Sequence, residues 1–155
     1  MSAVVHSINI STEGGVPKMP IGKADVRFAG VEGDYNRFRT EKKEGVSSRA
    51  VTLFSLERIH QLQKEGHAIG VGTTGENITV EGVDWTSLSV GTRMMVGNAM
   101  LELSEPTAPC SKIGKSFIDG AFSRIDHELE IGWSRWCASV IEEGHVEVGS
   151  QVIII

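Results

Sequence analysis

Apolar and polar residues alternate from Val4 to Ile10, and this period-two pattern predicts a first strand. Gly14-Gly15-Val16-Pro17 interrupts it, and Ala24 to Phe28 resumes extended structure. Gly30 to Ser48 is polar, charged and punctuated by glycine, which predicts a long loop of the kind that usually carries function. Ala50 to Phe54 reads as a short apolar strand. The period then changes. Ser55 stands as an N-cap, Leu56, Ile59 and Leu62 recur at helical spacing through about Glu65, and Gly66 is suited to end the helix.

Strand patterns return at Asn77 to Glu81, after the glycine-rich run Gly70 to Gly75. Arg93 to Val96 and Ala99 to Leu103 flank Gly97-Asn98, a two-residue hairpin signal. Ala138 to Ile141 and Val146 to Val148 flank a glycine turn at Gly144, and Gln151 to Ile155 closes the chain. Asp119 to Ile131 fits either a helix or a loop. Seven or so short strands, one helix of about three turns and many glycine turns predict a mainly β fold, a barrel or sandwich with helical additions.

The length of 155 residues suits one domain, 1–155, with a real core. The 18 glycines are scattered along the chain, which supports many turns rather than a flexible linker. A net charge of -5 disfavours a general nucleic-acid partner. The start of the chain has no basic segment followed by a long apolar run, and no stretch reaches transmembrane length. The expectation is therefore a soluble cytoplasmic protein with no membrane partner. Cys110 and Cys137 form no CxxC pair, and with five separated histidines they give no zinc-ligand spacing.

Cys110 is the leading candidate for chemistry. It follows Glu105-Pro106-Thr107-Ala108-Pro109, and Pro106 and Pro109 are expected to stop the preceding strand and stiffen the approach. The backbone N–H groups of a short helix beginning here, with Lys112 and Lys115, would favour a thiolate. A buried, inert cysteine is the alternative. Arg37, Arg39, Lys42, Lys43 and Arg49 place five positive charges within thirteen residues, offset only by Glu41 and Glu44. Such an excess can focus an anionic ligand such as a phosphate or pterin phosphate, or it can be a solvated, self-paired loop.

Thr73-Thr74-Gly75-Glu76-Asn77-Ile78 offers a carboxylate and an amide beside a glycine turn, either for a polar ligand or for an ordinary strand entry. His60 and His67 lack a third ligand for a metal site, and His127 and His145 have no readable partner. Trp85, Trp133 and Trp136 read as packing residues, and the last two could wall a pocket near the C-terminal strands. No Ser-His-Asp arrangement, Walker loop or dinucleotide fingerprint is present.

In order, these segments resemble the MOSC domain family, found at the C-terminus of molybdenum cofactor sulfurases, in amidoxime-reducing molybdoenzymes and as small stand-alone bacterial proteins. The resemblance rests on Arg49-Ala50-Val51 after the basic loop, Gly75-Glu76-Asn77-Ile78, and Gly91-Thr92 before the hairpin. It continues through Leu103-Ser104-Glu105-Pro106 into Pro109-Cys110, then Gly132-Trp133 to Val140 and Gly144-His145-Val146-Glu147-Val148-Gly149. It implies a β-barrel with a pocket around the cysteine. It makes Cys110 a persulfide carrier or a molybdenum ligand. Arg49, Glu76 and Asn77 become pocket residues, and with Lys112, Arg37 and Arg39 they are the expected contacts for the anionic pterin of a molybdenum cofactor (molybdopterin).

Many relatives carry a His-Gly-Gly segment and an aspartate before the Arg-Ala-Val run, where this chain has Gly45-Val46-Ser47-Ser48. Pyridoxal phosphate is associated with the family as a whole, but no pyridoxal-phosphate desulfurase domain is expected here. A cysteine desulfurase or other sulfur donor, or a separate reductase, is then the implied partner. Cys137 stands where relatives more often have a small residue and is expected to be structural. Three readings follow: a molybdenum-cofactor-associated sulfur carrier, a molybdenum-dependent reductase of N-hydroxylated compounds, and a non-catalytic binding module.

Overall fold

The N-terminal alternation forms β1 (Ala3–Ile10), the strand at which a barrel closes. A computed structural model describes residues 2–35 and 47–155. Around the ring, β1 pairs with β11 (Gln151–Ile154), followed by β7 (Arg93–Val96), β8 (Ala99–Thr107), β9 (Arg135–Glu142), β5 (Val51–Ser55) and β6 (Ile78–Glu81), which returns to β1. Closure removes free edges that would otherwise template aggregation. A short strand, β2 (Met19–Ile21), adds to β1, and β10 (Gly144–Glu147), β3 (Lys23–Arg27) and β4 (Gly30–Val31) form a separate small sheet.

The core follows from the alternation. Ala99, Leu101 and Leu103 of β8, with Met94 and Val96 of β7, are buried, while Met100 and Glu102 between them are not fully so. Gly97-Asn98 joins β7 and β8, as the hairpin signal predicted. β5 and β6 pair in parallel and need a crossover, which α1 (Leu56–Lys64) supplies. Ser55 caps α1 by accepting from the Arg58 N–H, and Leu56, Ile59 and Leu62 are the buried stripe. Gly66, at φ +101°, takes the left-handed conformation that ends the helix.

Several expectations need correction. Pro106 does not stop β8, which runs on to Thr107 with Pro106 opposite Trp136. Past Leu103 this end of β8 pairs, among the described residues, with β9 alone, so a residue lacking an N–H is tolerated there. β9 starts at Arg135 rather than Ala138, because Arg135 to Ala138 are buried on both faces and show no alternation to read. Gly144 does not turn β9 back on a neighbour. It opens β10, which pairs with β3. Gly30 belongs to a strand instead of a loop, and the stretch Asp119 to Ile131, which the sequence left open between helix and loop, is loop with 3-10 turns at Ile118–Gly120 and Phe122–Ile125. The strands are thus more numerous than the sequence suggested, since two- and three-residue strands leave no periodic signal.

Candidate functional site

Cys110 is exposed and opens onto a cavity of about 250 Å³ at one end of the barrel. The end of β8, the start of β9 and the start of β5 build its floor. Register places Cys137 of β9 between Thr52 of β5 and Glu105 of β8. A bulge between Leu103 and Glu105 shifts the β8 register there, and such bulges re-aim side chains beside functional sites. Successive β9 residues face opposite ways. Arg135 and Cys137 therefore line this cavity, while Trp136 lines a larger one on the other side of the ladder.

The wall is cationic. Lys18, Arg49, Lys112 and Arg135 line it, and no carboxylate does among the described residues. Lys18 is neutralised by Asp34 at 2.7 Å, and Arg49 Nε lies 2.7 Å from Glu105 Oε1. Arg135 differs from both. Its guanidinium is buried, donating to the Thr74 carbonyl at 2.6 Å and the Ala108 carbonyl at 3.5 Å, and its Nε has no hydrogen-bond partner among the described residues. Burial lowers its pKa, opposed by Glu76, Cys137 and Cys110, yet a group as basic as guanidinium stays a cation. Burial pushes the Cys137 thiol up, and its Sγ lies 3.1 Å from Thr107 Oγ1. Both cysteines are free thiols.

Cys110 sits at the start of a 3-10 turn, Ser111–Ser116, and makes no side-chain capping bond. The short helix expected to begin here is therefore present, as six residues of 3-10 geometry with Cys110 at its N-terminal cap position. Lys112 lines the cavity beside it and also an adjoining cleft, while Lys115 lines only that cleft, with Ser116.

Beneath the cavity lies a buried polar layer. Glu76 is fully buried and accepts from the Gly72 N–H at 3.1 Å, Thr74 Oγ1 at 3.0 Å and Thr79 Oγ1 at 3.0 Å. Burial pushes its carboxyl pKa up, and those hydrogen bonds act against the shift. Asn77 accepts from the Thr52 N–H at 3.1 Å and donates to Asp34 Oδ2 at 3.0 Å and the Asn9 carbonyl at 3.3 Å. Through Asp34, the ion-pair partner of Lys18, it links the start of β5 to the strap between β1 and β2 that carries Lys18. Gly72 permits the closest approach in this layer. A Cβ there would lie 2.1 Å from the Lys18 carbonyl oxygen, and φ is +80°.

The structure therefore brings Cys110, Arg49 and Lys112 to one cavity. It keeps Glu76 and Asn77 below as the layer that holds the walls in place, with their polar groups turned to protein partners. Arg37, Arg39, Lys42 and Lys43 lie outside the described residues. Sequence reasoning missed Arg135. Its signal was an arginine set between Trp133, Trp136 and Cys137, since charged residues are seldom buried without a task. Trp136 walls a cavity as anticipated, while Trp133 is stacked between Arg58 and Arg124, at 4.2 and 4.0 Å. His67 Nδ1 accepts from the Ile118 N–H, His60 is exposed on α1, and His145 bridges Asp25 and Glu147.

Comparison with known proteins agrees with this architecture. YiiM from Geobacillus stearothermophilus superposes with a TM-score of 0.74 at 22% identity, covering 99% of this chain and 75% of that one. YiiM from Escherichia coli gives 0.73 at 19% identity, over 100% and 70%. The YUAD protein of Bacillus subtilis gives 0.71 at 20%, over 99% and 96%. In sequence, YflK of Bacillus subtilis is 28% identical over 81 residues, which is 52% of this chain and 36% of YflK, so this chain spans about a third of that relative. The MOSC domain model matches residues 40–153, most of the chain and every wall of the cavity from Arg49 to Cys137. The chain belongs to the MOSC domain family.

Proposed function

We propose that this domain carries sulfur on Cys110 for a system that uses the molybdenum cofactor. The observation that carries the reading is the pairing of an exposed Cys110 thiol with the buried Arg135 cation in one cavity. A sulfur carrier needs a nucleophile that a donor can reach and a positive field for the thiolates that form and leave. In the loading step, the Cys110 thiolate attacks the outer sulfur of a donor persulfide, R–S–SH. The donor S–S bond breaks, its electron pair leaves with R–S⁻, and Cys110–S–SH results. In the unloading step, an acceptor nucleophile attacks that outer sulfur and Cys110 departs as thiolate. Arg135 and Lys112 stabilise negative charge at both stages.

The residues present fit an anionic, metal-bearing cofactor. Arg135 has an unused buried Nε, and with Lys112 and the ion-paired Lys18 and Arg49 it lines a wall of donors suited to a phosphate. Cys110 supplies a soft sulfur donor beside it. Bound there, the cofactor would supply a metal centre that exchanges oxygen or sulfur ligands. The chain's own part is to hold the anionic end and present the thiol.

The test is incubation with a cysteine desulfurase and cysteine, followed by intact and peptide mass spectrometry. One added sulfur atom on the Cys110 peptide is expected, absent in Cys110→Ala. An unmodified, freely alkylatable Cys110 overturns the carrier role. Molybdenum and pterin that co-purify with the unmodified protein, and are lost in Cys110→Ala, would make Cys110 a metal ligand instead.

A further inference from the structure

The larger cavity, on the far face of the β8–β9 ladder, has the opposite electrostatic character. It measures about 610 Å³, within the range typical of small-molecule sites. Leu88, Ile131 and Trp136 supply apolar wall, and Glu105, Asp126 and Glu128 supply carboxylates. No lysine or arginine lines it among the described residues. The end of β8 thus separates a cationic compartment from an anionic one, and Thr107 borders both.

The carboxylates are not equivalent. Glu105 is engaged by Arg49. Asp126 takes only the backbone N–H of Glu128, at 2.9 Å, and neither Asp126 nor Glu128 is in an ion pair among the described residues. His127, between them, packs edge-on against Trp136 with ring centroids 5.9 Å apart, and its buried Nδ1 has no hydrogen-bond partner among the described residues. Polar capacity left unused beside an apolar wall calls for an explanation. At the rim, Val90 and Ile131 are exposed at 65% and 72%, giving the mouth an apolar lip.

We infer that this cavity binds a small organic cation, its apolar body against Trp136 and Ile131 and its protonated nitrogen toward Asp126 and Glu128. Charge complementarity selects the occupant. An anion would meet three carboxylates, and a neutral apolar ligand would leave two of them desolvated without a counter-charge. The inference does not depend on Cys110 chemistry, because the walls named here, Thr107 apart, are not those of the cysteine cavity.

Benzamidine is a suitable probe, with benzoate as the anion of matching size, in titration calorimetry and two-dimensional NMR on the whole chain. Benzamidine should bind and shift the resonances of Trp136 and Ile131. Benzoate should bind at least about tenfold more weakly, a difference of about 1.4 kcal/mol. The double variant Asp126→Asn/Glu128→Gln, which keeps the acceptor for the Glu128 N–H, should weaken benzamidine at least severalfold with an unchanged melting midpoint. Cys110→Ala should bind benzamidine as the unsubstituted protein does. Equal binding of benzoate, undiminished binding by the double variant, shifts confined to the cysteine cavity, or no benzamidine binding at millimolar concentration would each overturn the inference.

Discussion

Replacing Glu76 separates the two things its burial does. The side chain is fully buried and receives three hydrogen bonds. Glu76→Ala removes all three acceptors. The Thr74 and Thr79 hydroxyls can rotate toward other acceptors, but the Gly72 N–H is fixed by the backbone and stays buried. An orphaned buried donor costs about 1–3 kcal/mol, and the void left by the side chain adds a cavity cost of similar order. The expected loss is about 3–5 kcal/mol, among the largest single-substitution effects.

Glu76→Gln behaves differently. Its carbonyl oxygen can keep the Gly72 N–H and Thr79, and its amide can meet Thr74 Oγ1, which then accepts. At neutral pH the cost should be within about 1 kcal/mol, near the value of one net hydrogen bond. The pH profile carries the sharper signal. Burial raises the folded-state pKa above the unfolded value of about 4.3, so the folded chain binds the proton more tightly. That contribution is fully present below the unfolded pKa and is lost as pH rises through the folded one. Relative to Glu76→Gln, the unsubstituted protein should therefore lose stability as pH rises from about 4.3. Urea unfolding at a series of pH values measures this. Parallel profiles for the two proteins, or an alanine variant within about 1 kcal/mol of the original, would refute the reasoning.

Other outcomes follow from the same geometry. Gly72→Ala drives a Cβ into the Lys18 carbonyl at φ +80°, and the Lys18 N–H bond to the Gly72 carbonyl stops the strap from moving away. Left-handed strain of about 1–2 kcal/mol with the weakened bond should cost about 2–4 kcal/mol by urea unfolding, and a change under about 0.5 would contradict the close approach. Arg135→Met keeps an unbranched stem as far as the Nε position while removing the charge and the two Nη donors. It should slow persulfide loading of Cys110 about tenfold or more, equivalent to about 1.4 kcal/mol, with the far-ultraviolet spectrum preserved, and unchanged loading would deny Arg135 its role. Contacts from Asp25 and then Glu147 raise the His145 pKa, so NMR titration should place it above the ordinary value and Asp25→Asn should lower it. The stability from this contact is present below the unfolded histidine pKa and fades as pH rises through the folded one, and a midpoint unmoved by Asp25→Asn would contradict the bridge.

The parts of the fold that depend on neighbours in sequence were legible there. The Ser55 cap with Leu56, Ile59 and Leu62 announced α1, and Gly97-Asn98 announced the β7–β8 hairpin, because each signal is local. Ring closure of β1 on β11 and the separate pairing of β10 with β3 were not legible, since they join segments more than a hundred residues apart. The candidate site divided in the same way. Cys110 and Arg49 stood out by residue type and setting. Arg135 lay in a strand whose two buried faces erase alternation, and Glu76 looked like a ligand because a sequence cannot show that its oxygens point to Gly72, Thr74 and Thr79. Pro106 read as a stop only because its pairing on a single side is a property of the sheet.

The central claim is that Cys110 accepts sulfur in a cavity built around Arg135. Its most direct test is peptide mass spectrometry after exposure to a cysteine desulfurase and cysteine, with Cys110→Ala and Arg135→Met alongside. The account predicts one added sulfur atom on the Cys110 peptide, none in the alanine variant and slowed accumulation in Arg135→Met. A Cys110 that stays a free, alkylatable thiol while the desulfurase turns over would contradict it.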